Sequence, residues 1–198
     1  MNVDHLIFPN FGWGYMPPSK EVFSVFEYVQ EKYKPTNVLE IGFHLGHSTT
    51  YMLNIFEQAN MTSISPDNEN WDKRNFDRLK GDVIDPNDRR AAALSLYDLY
   101  GTRWQWVPGM SHWAEVQEKV RKRGPFDMGL VDGSHSYTAV CHDIKLCEGI
   151  DVLIADNWEK KEVRRAFEQS DYKLEKVFDY ASSFKSKSKA LQMGILSR

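Results

Sequence analysis

Three short runs carry residues whose types and spacing could do chemistry: Val38-Leu39-Glu40-Ile41-Gly42-Phe43-His44-Leu45-Gly46-His47-Ser48, Val131-Asp132-Gly133-Ser134-His135 and Ala155-Asp156-Asn157-Trp158. In the first, an apolar strand ends in Glu-x-Gly-x-x-x-Gly and runs straight into a helix. A glycine just after a buried parallel strand lets the backbone take φ > 0 and leaves no side chain between main chain and ligand. The helix that follows presents unpaired N–H groups to an anion. The run therefore reads as a nucleoside-cofactor loop, against the plainer alternative of an ordinary strand-to-helix turn with a solvated Glu40.

A dinucleotide loop would read Gly-x-Gly-x-x-Gly, so that a pyrophosphate can lie on the helix N-terminus; here Phe43 follows the first glycine and His44 stands where the second would fall. S-adenosylmethionine carries a cationic sulfonium and an ammonium beside one carboxylate. A strand-end acid such as Glu40 is useful to that cofactor and harmful beside a pyrophosphate. The loop thus favours S-adenosylmethionine, with Glu40, Gly42 and Gly46 as cofactor-binding positions.

The other two runs leave the ends of later strands. Ligands of an open parallel sheet bind outside the carboxyl ends of its strands, so Glu40, Asp132 and Asp156-Asn157 are expected on one rim. Two carboxylates and an amide oxygen form a hard donor set suited to Mg²⁺, with Mn²⁺ or Ca²⁺ as alternatives. Such an ion lowers the pKa of a bound hydroxyl, and His135, three residues after Asp132, stands where it can take the proton. The competing reading makes Asp132 and Asp156 caps of the next segments and Asn157 a turn residue.

Taken in order, Glu-x-Gly-x-x-x-Gly, Asp-Gly-Ser-His-Ser-Tyr at residues 132–137 and Asp156-Asn157 resemble the class I S-adenosylmethionine-dependent methyltransferases. Within them the chain is similar to the family reading Asp-Gly-x-His-x-Tyr, and to the metal-dependent catechol-type and macrolide-sugar O-methyltransferases. The resemblance covers roughly residues 36–170. It implies Asp132, Asp156 and Asn157 as metal ligands, His135 as the general base and Asp132 as part of the catalytic centre and cofactor pocket. It also implies Ser48 as a contact to the methionine carboxylate. The chain departs from the pattern at two places. Strand two ends in Ile64-Ser65-Pro66-Asp67, so the ribose-binding role either passes to Asp67 or is lost, and Gly109 is followed by Met110-Ser111 where an acid is common. Met110 would then pack on adenine and Ser111 donate to a ring nitrogen.

Alternating strands and helices with no internal repeat predict a Rossmann-like, doubly wound α/β sheet, mostly parallel, with a C-terminal antiparallel hairpin at its edge. Helices are expected over 19–32, with Ser19 as N-cap, 46–58, from Asp85-Pro86 to Tyr100, from Ser111 to Arg123, 137–148 and 159–169. Strands are expected over 36–41, 61–65, Trp104–Val107, Asp127–Asp132 and Asp151–Ala155. The hairpin strands run from Tyr172 to Tyr180 and from Ala190 to Ser197, joined by a solvated Lys/Ser-rich tip at 182–189. Residues 67–86 read as an extended polar loop. The aromatic segment 1–18 reads either as a lid over an acceptor pocket or as a segment packed on the sheet. His44 and His47 read as local hydrogen-bonding or substrate-side residues, Trp113 beside His112 as core or stacking partner, and His142-Asp143 as part of a solvated helix face.

At 198 residues and 41% hydrophobic content the chain makes a single methyltransferase-like domain over 1–198. A net charge of −3 gives no electrostatic reason to bind nucleic acid or an anionic membrane, and the expected partner is a small-molecule acceptor. No run reaches the roughly 18 apolar residues of a span, and no signal peptide opens the chain, so a cytoplasmic location is expected. The hairpin and N-terminal segment would fit a homodimer. Cys141 and Cys147, six apart, suit neither a zinc clip nor a local disulfide. The leading expectation is a divalent-metal-assisted O-methyltransferase for a small hydroxylated acceptor. The alternatives are a metal-independent N-methyltransferase and a non-catalytic S-adenosylmethionine-binding module; glycine spacing disfavours a nicotinamide oxidoreductase.

Overall fold

Ser19 starts the first described helix, α1 (Lys20–Tyr33), by accepting from the Val22 N–H at 3.2 Å. Its apolar residues Val22, Val25, Phe26 and Val29 recur at helical spacing and are all buried. A computed structural model describes residue 16 and residues 19–66, 86–180 and 191–198. The segment 1–18 apart from Met16, the loop 67–85 with Asp67, and the tip 182–189 lie outside the described residues.

Five strands run parallel: β1 (Asn37–Ile41), β2 (Asn60–Ser65), β3 (Trp104–Pro108), β4 (Met128–Val131) and β5 (Val152–Ala155). Two antiparallel strands, β6 (Lys173–Tyr180) and β7 (Leu191–Ser197), complete a seven-stranded sheet of order β3-β2-β1-β4-β5-β7-β6. The Rossmann-like architecture is as expected. The hairpin lies at the sheet edge as expected, with β7 between β5 and β6, so that β6 is the outer strand.

The helices α2 (His47–Ile55), α3 (Pro86–Tyr100), α4 (Ala114–Arg121), α5 (Tyr137–Leu146) and α6 (Lys161–Glu168) complete the described chain. Side chains on opposite faces of a strand alternate, and the core accordingly splits in two. Val38, Met128, Leu130, Val152 and Ile154 face α1, α2 and α3, while Leu39, Ile41, Val131, Leu153 and Ala155 face α4, α5 and α6. Helix α2 ends three residues before the expected 58. Phe56 turns inward to lie edge-on to Phe26, and Arg103 donates to the carbonyls of Leu53, Phe56 and Ala59 around the helix end. Among the described residues no helix is long and apolar enough to cross a membrane.

Candidate active site

Backbone hydrogen bonds continue the sheet past the last residue of four strands. Gly109 donates to Ser65, Gly42 to Ile64, Asp132 to Ile41 and Asp156 to Val131, at 2.8–3.1 Å. Gly42, Asp132 and Asp156 therefore stand abreast on the carboxyl rim. The rim spans the switch between β1 and β4, from which the strand order runs outward in both directions.

Gly42 has φ +116°, and a Cβ there would lie 2.0 Å from the Asp132 carbonyl oxygen. The close approach of the two strand ends thus requires glycine, beyond any requirement of a ligand. At Gly46, φ +77°, a Cβ would lie 2.8 Å from both Leu96 and Phe43, so this residue lets α3 settle on the loop. Arg89 of α3 ties down the same loop by donating to the carbonyls of His44 and Pro66. His47 is buried at the start of α2, and desolvation lowers its pKa to about 4.

Glu40 is fully buried rather than solvated. Parallel pairing sets it beside Ser63, whose hydroxyl donates to its Oε2 at 2.6 Å, and the start of α2 adds the hydroxyls of Ser48 and Thr49. Burial raises the carboxyl pKa, and the three hydroxyls partly offset the rise. All three are neutral groups. A buried acid answered only by neutral donors is suited to a cationic ligand, which is the fit that S-adenosylmethionine requires.

Asp132, His135 and Asp156 each offer a ligand atom, and these atoms lie within 4.8 Å of one another. His135 Nε2 is 3.5 Å from Asp132 Oδ1, beyond a normal hydrogen bond, and has no hydrogen-bond partner among the described residues. Tyr180, at the end of β6, donates to Asp156 Oδ1 at 2.6 Å. Burial pushes the Asp132 carboxyl up to about 7, reinforced by nearby Glu40, and pushes Asp156 well above the carboxylate range, reinforced by Asp132. Crowding and burial thus favour the protonated forms of these acids, a bias that a bound cation relieves. Asn157 is buried with φ 53°, a conformation asparagine tolerates better than most residues. The donor set thus fits a hard divalent ion. Burial, then the Lys160 ammonium, lower the His135 imidazole to about 4, so it is neutral near pH 7.

Met110 is half-buried beyond β3. Ser111 is buried, and its hydroxyl donates to Asp143 Oδ1. The solvated face expected for His142-Asp143 holds for His142 and fails for Asp143, which is 2% exposed. Trp113 is 36% exposed and stands against Gly109, so it is not a core residue. Three residues that the sequence reading missed belong to the rim: Lys160, Asp143 and Tyr180. Lys160 had one signal, since a lysine just before a helix opposes the helix dipole.

Burial raises Asp143 to about 7, and the Ser111 hydroxyl partly opposes the rise. A carboxyl whose folded pKa lies above its unfolded value stabilises the fold below the unfolded pKa, and that contribution is lost as pH rises through the folded pKa. Stability should therefore fall between about pH 4 and 7. Asp143→Asn keeps an acceptor for Ser111, and at pH 8 it should melt higher than wild type by several degrees, for roughly 1–3 kcal/mol. Thermal melts at pH 5 and pH 8 check this; a variant no more stable than wild type at pH 8 would contradict it.

A family model of the methyltransferase domain matches residues 39–153, more than half of the chain. No curated protein sequence matches. Among solved structures, the O-methyltransferase TomG from Streptomyces achromogenes, described in complex with S-adenosylmethionine, is 14% identical at a TM-score of 0.62, covering 98% of this chain and 85% of that one. An O-methyltransferase from Bacillus cereus, in complex with S-adenosylhomocysteine, is 13% identical at 0.62, covering 96% and 85%. The precorrin-6y C5,15-methyltransferase from Geobacter metallireducens is 9% identical at 0.61, covering 95% and 94%. At these identities the likeness is one of fold. With the domain match running from the cofactor loop into β5, on a sheet with five parallel strands, the chain belongs to the class I S-adenosylmethionine-dependent methyltransferases.

Proposed function

We propose that this enzyme is an O-methyltransferase for a small hydroxylated acceptor, assisted by a divalent metal, with His135 as general base. The observation that carries the reading is the meeting of Asp132, His135 and Asp156 at the carboxyl rim. The cofactor supplies a methyl group on a sulfonium. On the protein's side, the buried Glu40 gives that positive charge a counter-charge, and the loop from Gly42 to Ser48 lines the approach. Gly42, Gly46 and Ser48 are assigned to the methionine end, with Met110 and Ser111 at the adenine and Asp67 at the ribose.

Asp132, Asp156 and Asn157 would hold the metal, Mg²⁺ first among candidates, which supplies Lewis acidity toward a hydroxyl. Tyr180 orients Asp156 from behind, the arrangement that fixes a ligand's direction in many metal sites. His135 is neutral near pH 7 and so is able to accept the acceptor's proton. One observation favours a metal-free enzyme instead: Lys160 Nζ donates to Asn157 Oδ1 at 2.7 Å.

The test is methyl transfer from labelled cofactor to a panel of polyhydroxylated acceptors, with Mg²⁺ and with excess chelator. Turnover on hydroxyl acceptors that chelation removes is the expected result. Turnover undiminished by chelation would decide for the metal-free alternative, and methylation of amines alone would overturn O-methylation. Glu40→Gln, which removes the counter-charge and keeps the shape, should weaken S-adenosylmethionine binding by about tenfold or more in calorimetry. Equal affinity would show that Glu40 serves the fold only.

A further inference from the structure

The acidic rim contains a cation of its own. Lys160 lies just before α6, in a turn closed by its N–H to the Asn157 carbonyl, and its ammonium reaches back over that turn. It lies 2.7 Å from Asn157 Oδ1 and 2.9 Å from His135 Nδ1. An ammonium has three donors and no acceptor, so it occupies a lone pair on each. One is the amide oxygen assigned to the metal, and the other belongs to the imidazole assigned as base. Around them stand Asp132, Asp156 and, further back, Glu40, while the nearby Glu159 accepts from the Gln192 N–H. Helix stability does not account for this lysine, which sits at the positive end of the α6 dipole.

We infer that Lys160 is a tethered counter-ion that a divalent cation must displace. The inference rests on the metal reading above. Without metal, the ammonium compensates the acidic rim and holds the Asn157 amide and the His135 ring in place. A divalent ion on Asp132, Asp156 and Asn157 would compete with the ammonium for the same amide oxygen and be repelled by it. Metal affinity is therefore set below what the donor set alone would give. The same displacement releases His135 Nδ1, so that metal entry and a free base go together.

The measurement is Mn²⁺ binding to the full chain, without cofactor or acceptor, followed by the spin-resonance signal of free Mn²⁺. Lys160→Met keeps the aliphatic stem and removes the charge, and should bind Mn²⁺ at least about tenfold more tightly than wild type. Lys160→Arg keeps the charge and should stay as weak as wild type. Adding Asp156→Ala to Lys160→Met should abolish the gain. Binding to wild type that Lys160→Met leaves unchanged or weakens, and that Asp156→Ala removes, would overturn the role of Lys160 while the metal reading stands. Equal tightening by Lys160→Met and Lys160→Arg would show that charge is not the cause and would overturn it as well. No binding to wild type or to Lys160→Met would overturn both readings.

Discussion

Gly42→Ala should lose cofactor binding and a substantial part of the protein's thermal stability. The added Cβ would lie 2.0 Å from the Asp132 carbonyl oxygen and 2.5 Å from its carbon. Both are backbone atoms held by the Asp132 N–H bond to Ile41, so neither strand end can swing aside as a flexible side chain would. A φ of +116° adds strain that only glycine escapes. Together these should amount to about 3 kcal/mol or more, lowering the melting temperature by roughly 6–12 °C in a domain of this size. A melt within about 2 °C of wild type, with S-adenosylhomocysteine binding retained, would mean that β1 and β4 do not approach as described.

The largest effect on chemistry should come from Asp132 and His135. His135→Ala should lower kcat by about 10²- to 10⁴-fold while leaving S-adenosylhomocysteine affinity nearly unchanged, the signature of a group that acts on the acceptor's proton. Asp132→Asn should lower kcat and metal affinity together. The pH dependence separates the two roles. His135 is unprotonated above about pH 4, so it imposes no limit near neutrality. Asp132, raised to about 7, and Asp156, raised well above the carboxylate range, must both lose their protons to bind a cation, so metal-dependent turnover should rise with pH through about 7 and beyond. If His135→Ala and Asp132→Asn stayed folded and fully active on an identified acceptor, the proposed mechanism would be wrong.

How much of this was legible beforehand depended on range. Glu40, Gly42, Asp132 and Asp156 could be placed on one rim from the sequence because each follows a short apolar strand, and parallel strands in such a sheet end together. The environment of Glu40 could not be read, because Ser63 reaches it through the register that pairs Glu40 with Ser63 on β2. Tyr180 meets Asp156 because the hairpin folds back with β7 next to β5, a choice of strand order that the pattern of residues 172–197 leaves open. Asp143 was misread by charge, although Val140, Ile144 and Cys147 at helical spacing define the buried face beside it. Ser111 and Asp143 come from different strand-end loops, and their pairing appears only when the two are brought side by side. Lys160 opposes the helix dipole at its position, but its reach to Asn157 and His135 depends on the turn that folds it back over the rim.

The most direct test of the account is calorimetric titration of the purified protein with S-adenosylmethionine and S-adenosylhomocysteine, with Mg²⁺ and again in excess chelator. Both ligands should bind under both conditions, because the hydrogen bonds that shape the loop from Glu40 to Ser48 are made within the protein and do not involve the proposed metal ligands. Absence of binding under either condition would contradict the central claim that this rim is a methyl-donor site.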